Sequence, residues 1–253
     1  MSRQEKITFP GSQSNLSGSL QLPDGDVSGG VVLAHCFTCS KSYKVVRYLA
    51  DGIERAGYAV LRFDFTGLGE SEGDFGQTSV TTNVEDLEAA ARYLEQRVFG
   101  PCAMVGHSLG GAATLLAAAQ LPRVRAFAVV ASPSNAGHLR RVFTERDVET
   151  ALAKGRVSVT IAGRPFDISA EFFRDLERHD TLDHITELRR PLLVVHPAAD
   201  KIVSIEEGER IFAAARQPRW FAALPNADHL LTRQEHSEAA ARIIVAFLRA
   251  VLQ

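Results

Sequence analysis

Apolar residues along this chain fall into two alternating patterns. Short continuous apolar runs alternate with stretches in which apolar positions lie three and four residues apart. The run Gly30-Val31-Val32-Leu33-Ala34 reads as a strand buried on both faces. Runs at 58–63, 103–105, 127–131, 192–195 and 219–224 read as further strands. Between them, Val45, Leu49, Ile53 and Ala56 recur at helical spacing, and Gly57 suits the stop of that helix. Val84, Leu87, Ala91, Leu94 and Val98 mark a long helix. Residues 108–120 form an alanine-rich helix, and 237–252 an amphipathic one with Ile243, Phe247 and Val251 on one face. At the start, 6–9 and 16–22 read as strands joined by a Pro10-Gly11-Ser12 turn, an antiparallel opening. Strands alternating with helices predict a mostly parallel sheet with right-handed crossovers, the α/β class.

Residues 134–190 break this rhythm. Their pattern predicts a helix, then a hairpin (157–161 and 164–168, turning at Ala162-Gly163), then a helix over 170–178. An insertion of this kind between two core strands reads as a lid over an active site, or else as a decorated crossover. The whole of 1–253 reads as one domain.

Composition adds limits. With 45% hydrophobic and 23% charged residues the chain is an ordinary globular one, and 253 residues suffice to bury a sizeable core. The net charge of −2, with both signs interspersed, provides no basic footprint and argues against a nucleic-acid partner. No apolar stretch reaches the roughly 20 residues of a membrane span, and the first residues do not read as a secretory signal. A cytoplasmic location is the expectation. No cofactor is implied, and nothing indicates an oligomeric state.

The chemistry centres on Gly106-His107-Ser108-Leu109-Gly110. This G-x-S-x-G pentapeptide follows an apolar strand and opens a helix, the context a nucleophilic serine needs on a tight strand-to-helix turn. A serine hydroxyl needs a base to take its proton. His229, just after the last strand, fits better than His236, His196 or His184 in a serine–acid–histidine order. The acid that orients such a histidine is expected after the penultimate strand, where Asp200 stands. Asp228, adjacent to His229, and Asp64, after an earlier strand, compete less well. The N–H groups of Leu109 and of Phe37, on the loop after the 30–34 strand, are the candidate oxyanion donors. His35, Cys36 and His107 are substrate-pocket candidates.

The three cysteines, Cys36, Cys39 and Cys102, are too few for a disulfide framework. Cys36 and Cys39 form a C-x-x-C pair, read as thiols packed beside the site, with oxidation sensitivity as the alternative. One such pair cannot make a zinc site, and no metal is expected. The glycine-rich stretch 63–71 lacks both the G-x-G-x-x-G spacing and a P-loop lysine, and reads as a tight structural loop.

Together these residues resemble the α/β-hydrolase superfamily over essentially the whole chain. The segments Ala34-His35-Cys36-Phe37-Thr38-Cys39-Ser40-Lys41, Arg62-Phe63-Asp64-Phe65-Thr66-Gly67-Leu68-Gly69, Ile161-Ala162-Gly163-Arg164-Pro165-Phe166 and Ala227-Asp228-His229-Leu230-Leu231 narrow the likeness. They are similar to the hydrolase half of bacterial proteins that join an α/β-hydrolase to an OsmC-type peroxiredoxin-like domain. Most of the superfamily has glycine where Cys36 stands, whereas this subgroup is similar in having cysteine. The resemblance implies an α/β-hydrolase fold, a mostly parallel sheet flanked by helices, with a small lid-like insertion. It implies a carboxylesterase acting on small esters through Ser108, Asp200 and His229. It also implies an OsmC-type domain as partner in a longer chain, outside the residues given. The same triad serves thioesterase, peptidase, lactonase and perhydrolase chemistry, and fold alone does not choose among them. A non-catalytic module that senses oxidants for an OsmC-type peroxidase is the alternative from a different class.

Overall fold

A computed structural model describes residues 3–252. The chain opens with β1 (Arg3–Pro10) and β2 (Asn15–Leu22), an antiparallel pair closed by a turn in which Gly11 N–H donates to the Ser14 carbonyl at 2.8 Å. Next come β3 (Gly30–Ala34), α1 (Lys44–Glu54), β4 (Ala59–Phe63) and α2 (Val80–Arg97). The N-terminus of α2 carries a capping box, with Ser79 and Thr82 each bonding the other's backbone. Then follow β5 (Cys102–His107), α3 (Leu109–Ala117) and β6 (Val124–Val130).

The segment after β6 contains a 3-10 stretch (Ala136–Val142), α4 (Glu145–Lys154), the hairpin β7 (Arg156–Ile161) and β8 (Arg164–Ser169), α5 (Ala170–Arg178) and α6 (Thr181–Glu187). The core resumes with β9 (Leu192–Pro197), α7 (Ile205–Ala214), β10 (Arg219–Leu224) and α8 (Gln234–Val251).

Eight strands form one sheet in the order β1-β2-β4-β3-β5-β6-β9-β10. β2 is antiparallel to both β1 and β4, and every pair from β4 to β10 is parallel. Successive side chains of a strand point to opposite faces. In β3, Val31 and Leu33 therefore pack on one side with Val45, Leu49 and Ile53 of α1 and Ile244 and Leu248 of α8. Val32 and Ala34 pack on the other side with Leu87 of α2 and Leu115 of α3. Both faces are covered, which is why the core strands read as continuous apolar runs.

Local sequence explains most boundaries. Departures from the sequence pattern have local causes too. β6 starts at Val124, before the apolar run, because exposed Arg125 interrupts the pattern. α6 and α7 escape the pattern altogether. α6 is only seven residues long, and Glu206, Glu207 and Gly208 dilute the apolar spacing of α7. Among the described residues no helix is long and apolar enough to cross a membrane.

Candidate active site

Parallel strands bring their C-terminal ends to one edge of the sheet. Ser108 stands there, between β5 and α3, with φ 56° and ψ −124°. This conformation is strained for a residue with a side chain, and such strain persists only where the surroundings enforce it. Here they do. Ser108 N–H donates to the Val130 carbonyl at 2.9 Å, and Gly111 N–H donates to the Ser108 carbonyl at 2.8 Å. A Cβ at Gly106 would collide with the backbone of Gly110, and one at Gly110 with the carbonyl oxygens of His35 and Ala34. Only glycine lets the turn sit this close to its neighbours.

His229 lies in the loop between β10 and α8. Its Nε2 accepts from the Ser108 hydroxyl at 3.0 Å, and its Nδ1–H donates to Asp200 Oδ2 at 2.8 Å. Asp200 follows β9, and its other oxygen accepts from the amides of Ile202 (2.8 Å) and Val203 (2.9 Å). Burial opposes charge on Asp200. The bond from His229, its attraction and the two amides outweigh burial and hold the carboxyl below its usual range. A fixed carboxylate, an imidazole and a hydroxyl in one line can move a proton off the hydroxyl.

The competing acids are engaged elsewhere. Asp228 bonds the amide and hydroxyl of Thr232, within its own turn. Asp64 is buried and accepts from Lys41 N–H (2.6 Å), the Lys41 ammonium (2.5 Å) and Glu70 N–H (2.9 Å). Lys41 also reaches Glu70 at 2.7 Å, and the ammonium groups of Lys41 and Lys6 hold Glu70 down to about 2. The glycine-rich stretch thus works as a structural clasp at the far end of the 35–41 loop. Nothing in the sequence marks Lys41 as buried.

Leu109 opens α3, and the first amides of a helix have no partner within it. Phe37 lies in the 36–39 turn, where Cys39 N–H donates to the Cys36 carbonyl at 3.2 Å. The Phe37 ring is packed by Phe75 (5.6 Å), Phe172 (5.6 Å) and Phe143 (6.2 Å between ring centres). Arg164, from the β7–β8 hairpin, donates to the Thr38 carbonyl. The insertion therefore braces the loop that carries Phe37.

The cysteine pair is not two packed thiols. Cys36 and Cys39 form a disulfide, since the turn brings their Cα atoms to 5.3 Å, within the span such a bridge needs. Cys102 is a free, buried thiol, pushed up to about 11 by burial and then by nearby Glu95.

A cavity of about 220 Å3 opens beside Ser108 and His229. The disulfide, Phe37, Tyr43, Leu109 and Leu230 line it, together with Leu139, Val142, Ile161 and Ala162 of the 134–190 segment. Ile202, Val203 and His138 complete the wall, and among the described residues no carboxylate, lysine or arginine lines it. Of the three pocket residues expected from sequence, only Cys36 borders this cavity. His35 and His107 are wholly buried and turned to the backbone. His35 Nδ1–H donates to the Cys36 carbonyl at 2.8 Å, and its Nε2 accepts from Phe65 N–H at 3.3 Å. His107 Nε2–H donates to the His229 carbonyl at 2.9 Å. The wall residues from the insertion and from the Asp200 loop share no sequence period, so no pattern could have found them. His236 and His184 lie away from this cavity.

A family model described as serine aminopeptidase, S33, matches residues 25–161, which include the serine turn and the β7 strand. The chain belongs to this family of α/β-hydrolases. The esterase domain of a Rhodothermus marinus protein is 36% identical to this α/β-hydrolase, with 99% of this chain and all of that one covered and a TM-score of 0.80. Est1E from Butyrivibrio proteoclasticus, with ferulic acid bound, shares the fold at 18% identity and a TM-score of 0.84, covering 97% and 98% of the two chains. Among curated proteins, mouse palmitoyl-protein thioesterase ABHD10 is 28% identical over 61% of this chain and 54% of its own. An uncharacterized 31.7 kDa protein of Escherichia coli is 29% identical over 47% of this chain and 43% of its own. The α/β-hydrolase thus spans about half the length of the curated relatives it matches.

Proposed function

We propose that this chain is a serine carboxylesterase that hydrolyses small esters with uncharged, apolar acyl groups. Ser108 is the nucleophile, His229 the general base and Asp200 the acid that orients it. One observation carries the reading: the hydrogen-bonded line from Asp200 through His229 to Ser108 ends at an apolar cavity.

In this mechanism His229 Nε2 takes the hydroxyl proton as Ser108 Oγ attacks the ester carbonyl. The Leu109 and Phe37 N–H groups receive the oxyanion. The alcohol leaves with the proton from His229, and water, activated by the same imidazole, releases the acid from the acyl-enzyme. The cavity spans about 220 Å3. An acyl chain of medium length fits that space. Among the described residues no carboxylate lines the cavity, which weighs against an aminopeptidase, because the ammonium of a peptide N-terminus calls for one.

Hydrolysis of p-nitrophenyl acetate through octanoate by the wild type and by Ser108→Ala tests the proposal, with fluorophosphonate labelling mapped by mass spectrometry. Equal rates in the two proteins would end it.

A second reading is thioester hydrolysis. Val142 and Ile202 line the cavity yet are 48% and 61% exposed, an apolar lip on which a longer acyl chain can continue. A relative named as a palmitoyl-protein thioesterase points the same way. A thioester panel run beside the ester panel separates the two.

A further inference from the structure

We infer that His107 and His196 are positioning residues, each tying one loop of the proposed triad to the C-terminal edge of the sheet. The inference rests on the triad reading above. His107 ends β5 and His196 lies near the end of β9, so they flank the site on two parallel strands. Both are wholly buried, and neither takes part in the chemistry just described.

Each ring makes one hydrogen bond, and each bond falls on a loop that matters. His107 Nε2–H donates to the backbone carbonyl of His229 at 2.9 Å, with the two rings 5.4 Å apart. His196 Nε2–H donates to the carbonyl of Val203, also at 2.9 Å. The amide of that same Val203 donates to Asp200 Oδ1. One ring therefore holds the backbone that carries the base, and the other holds the backbone that clamps the acid.

The opposite nitrogen of each ring, Nδ1, is buried with no protein partner. Burying an unpaired polar atom is unfavourable, and such atoms call for an explanation. A leucine would fill either space without that cost. The Nε2–H bond is what an imidazole supplies there and leucine cannot; at His196 the same nitrogen also lies 3.9 Å from Asp200 Oδ2. Two loops of otherwise irregular structure gain a fixed height above the sheet, and a misplacement of about 1 Å at a reacting group can cost about 100-fold in rate.

Asparagine and glutamine separate this role from simple packing. The glutamine amide nitrogen reaches the Nε2 position, whereas that of asparagine stops near Nδ1. For His107→Asn and His196→Asn we expect kcat on a p-nitrophenyl ester to fall about 10- to 100-fold with KM changed less than about twofold. The Gln variants should recover most of that loss. On the wild type, ring 15N shifts should assign the Nε2–H tautomer to both histidines. Equal kcat in folded Asn and Gln variants, or an Nδ1–H tautomer, would overturn the inference. A wild type inert toward esters and thioesters would instead count against the triad, while the tautomer measurement still decides the hydrogen bonds.

Discussion

Asp200 and His229 divide the work of one carboxylate cleanly. Oδ2 takes the imidazole Nδ1–H at 2.8 Å, and Oδ1 is held by the amides of Ile202 and Val203. The carboxylate is fixed before it meets the imidazole, so the imidazole has one tautomer and one direction. Asp200→Asn removes the charge and admits the wrong tautomer. We expect kcat to fall about 1,000- to 10,000-fold with the fold retained. Asp228→Asn, beside His229, the proposed base, but bonded to Thr232, should change kcat by less than about twofold. Steady-state kinetics of the two variants checks the assignment.

Acid should destabilise the protein through its buried histidines. Burial, followed by the neighbouring His229, pushes His107 down to about 3, and burial also lowers His35 and His196. Their unfolded values lie near 6.5. Between those limits the unfolded chain binds more protons than the folded one, so stability is present above about pH 6.5 and is lost as pH falls toward 3. Each such histidine contributes a slope of up to about 1.4 kcal/mol per pH unit. Urea midpoints at pH 7.5, 6 and 5 should fall in that order, and His107→Gln should flatten the decline.

Under the proposed esterase reading, the cavity beside Ser108 should read acyl-chain length. Each buried methylene contributes about 0.8 kcal/mol, close to fourfold in kcat/KM. A rise of that size per methylene should flatten once the 220 Å3 is filled. Ile161→Trp adds bulk to the wall, and should cut octanoate hydrolysis by about tenfold while sparing acetate, by the overpacking that a filled cavity resists. The ratio of kcat/KM for the two esters is the measurement.

Opening the Cys36–Cys39 bridge should slow the reaction. The bridge closes the turn that holds Phe37, a proposed oxyanion donor. Two equivalents of thiol would reduce it to the dithiol, and alkylation would keep it open. A fall of about tenfold in kcat, part of what losing such a donor costs, is expected with little change in KM. Buried Cys102, with its thiol pushed up to about 11, should stay unmodified and serve as the control.

Gly110→Ala should fail by geometry. The added Cβ would meet the backbone carbonyls of Ala34, at the end of β3, and His35, just after it, which cannot swing away as a side chain could. A loss of about 3 kcal/mol or more in stability is expected, read as a lowered urea midpoint.

The sequence by itself determined the α/β class, the strand–helix alternation, the hairpin near 156–169 and the turn that presents Ser108. These are local matters: apolar runs, helical spacing and glycines at tight turns act within a few residues. It also singled out His229 and Asp200 by their place after particular strands. Only the tertiary structure decided that these two meet each other and Ser108, since 121 residues separate the serine from the histidine. It alone put His35 and His107 behind the cavity wall, buried Lys41 with Asp64, and closed Cys36 onto Cys39. A side chain's face and partners are set by which strands become neighbours and how loops cross the sheet edge, and no period in the sequence records that. The cavity wall makes the same point, because Ile161, Val142 and Ile202 come from three separate segments that only packing brings together.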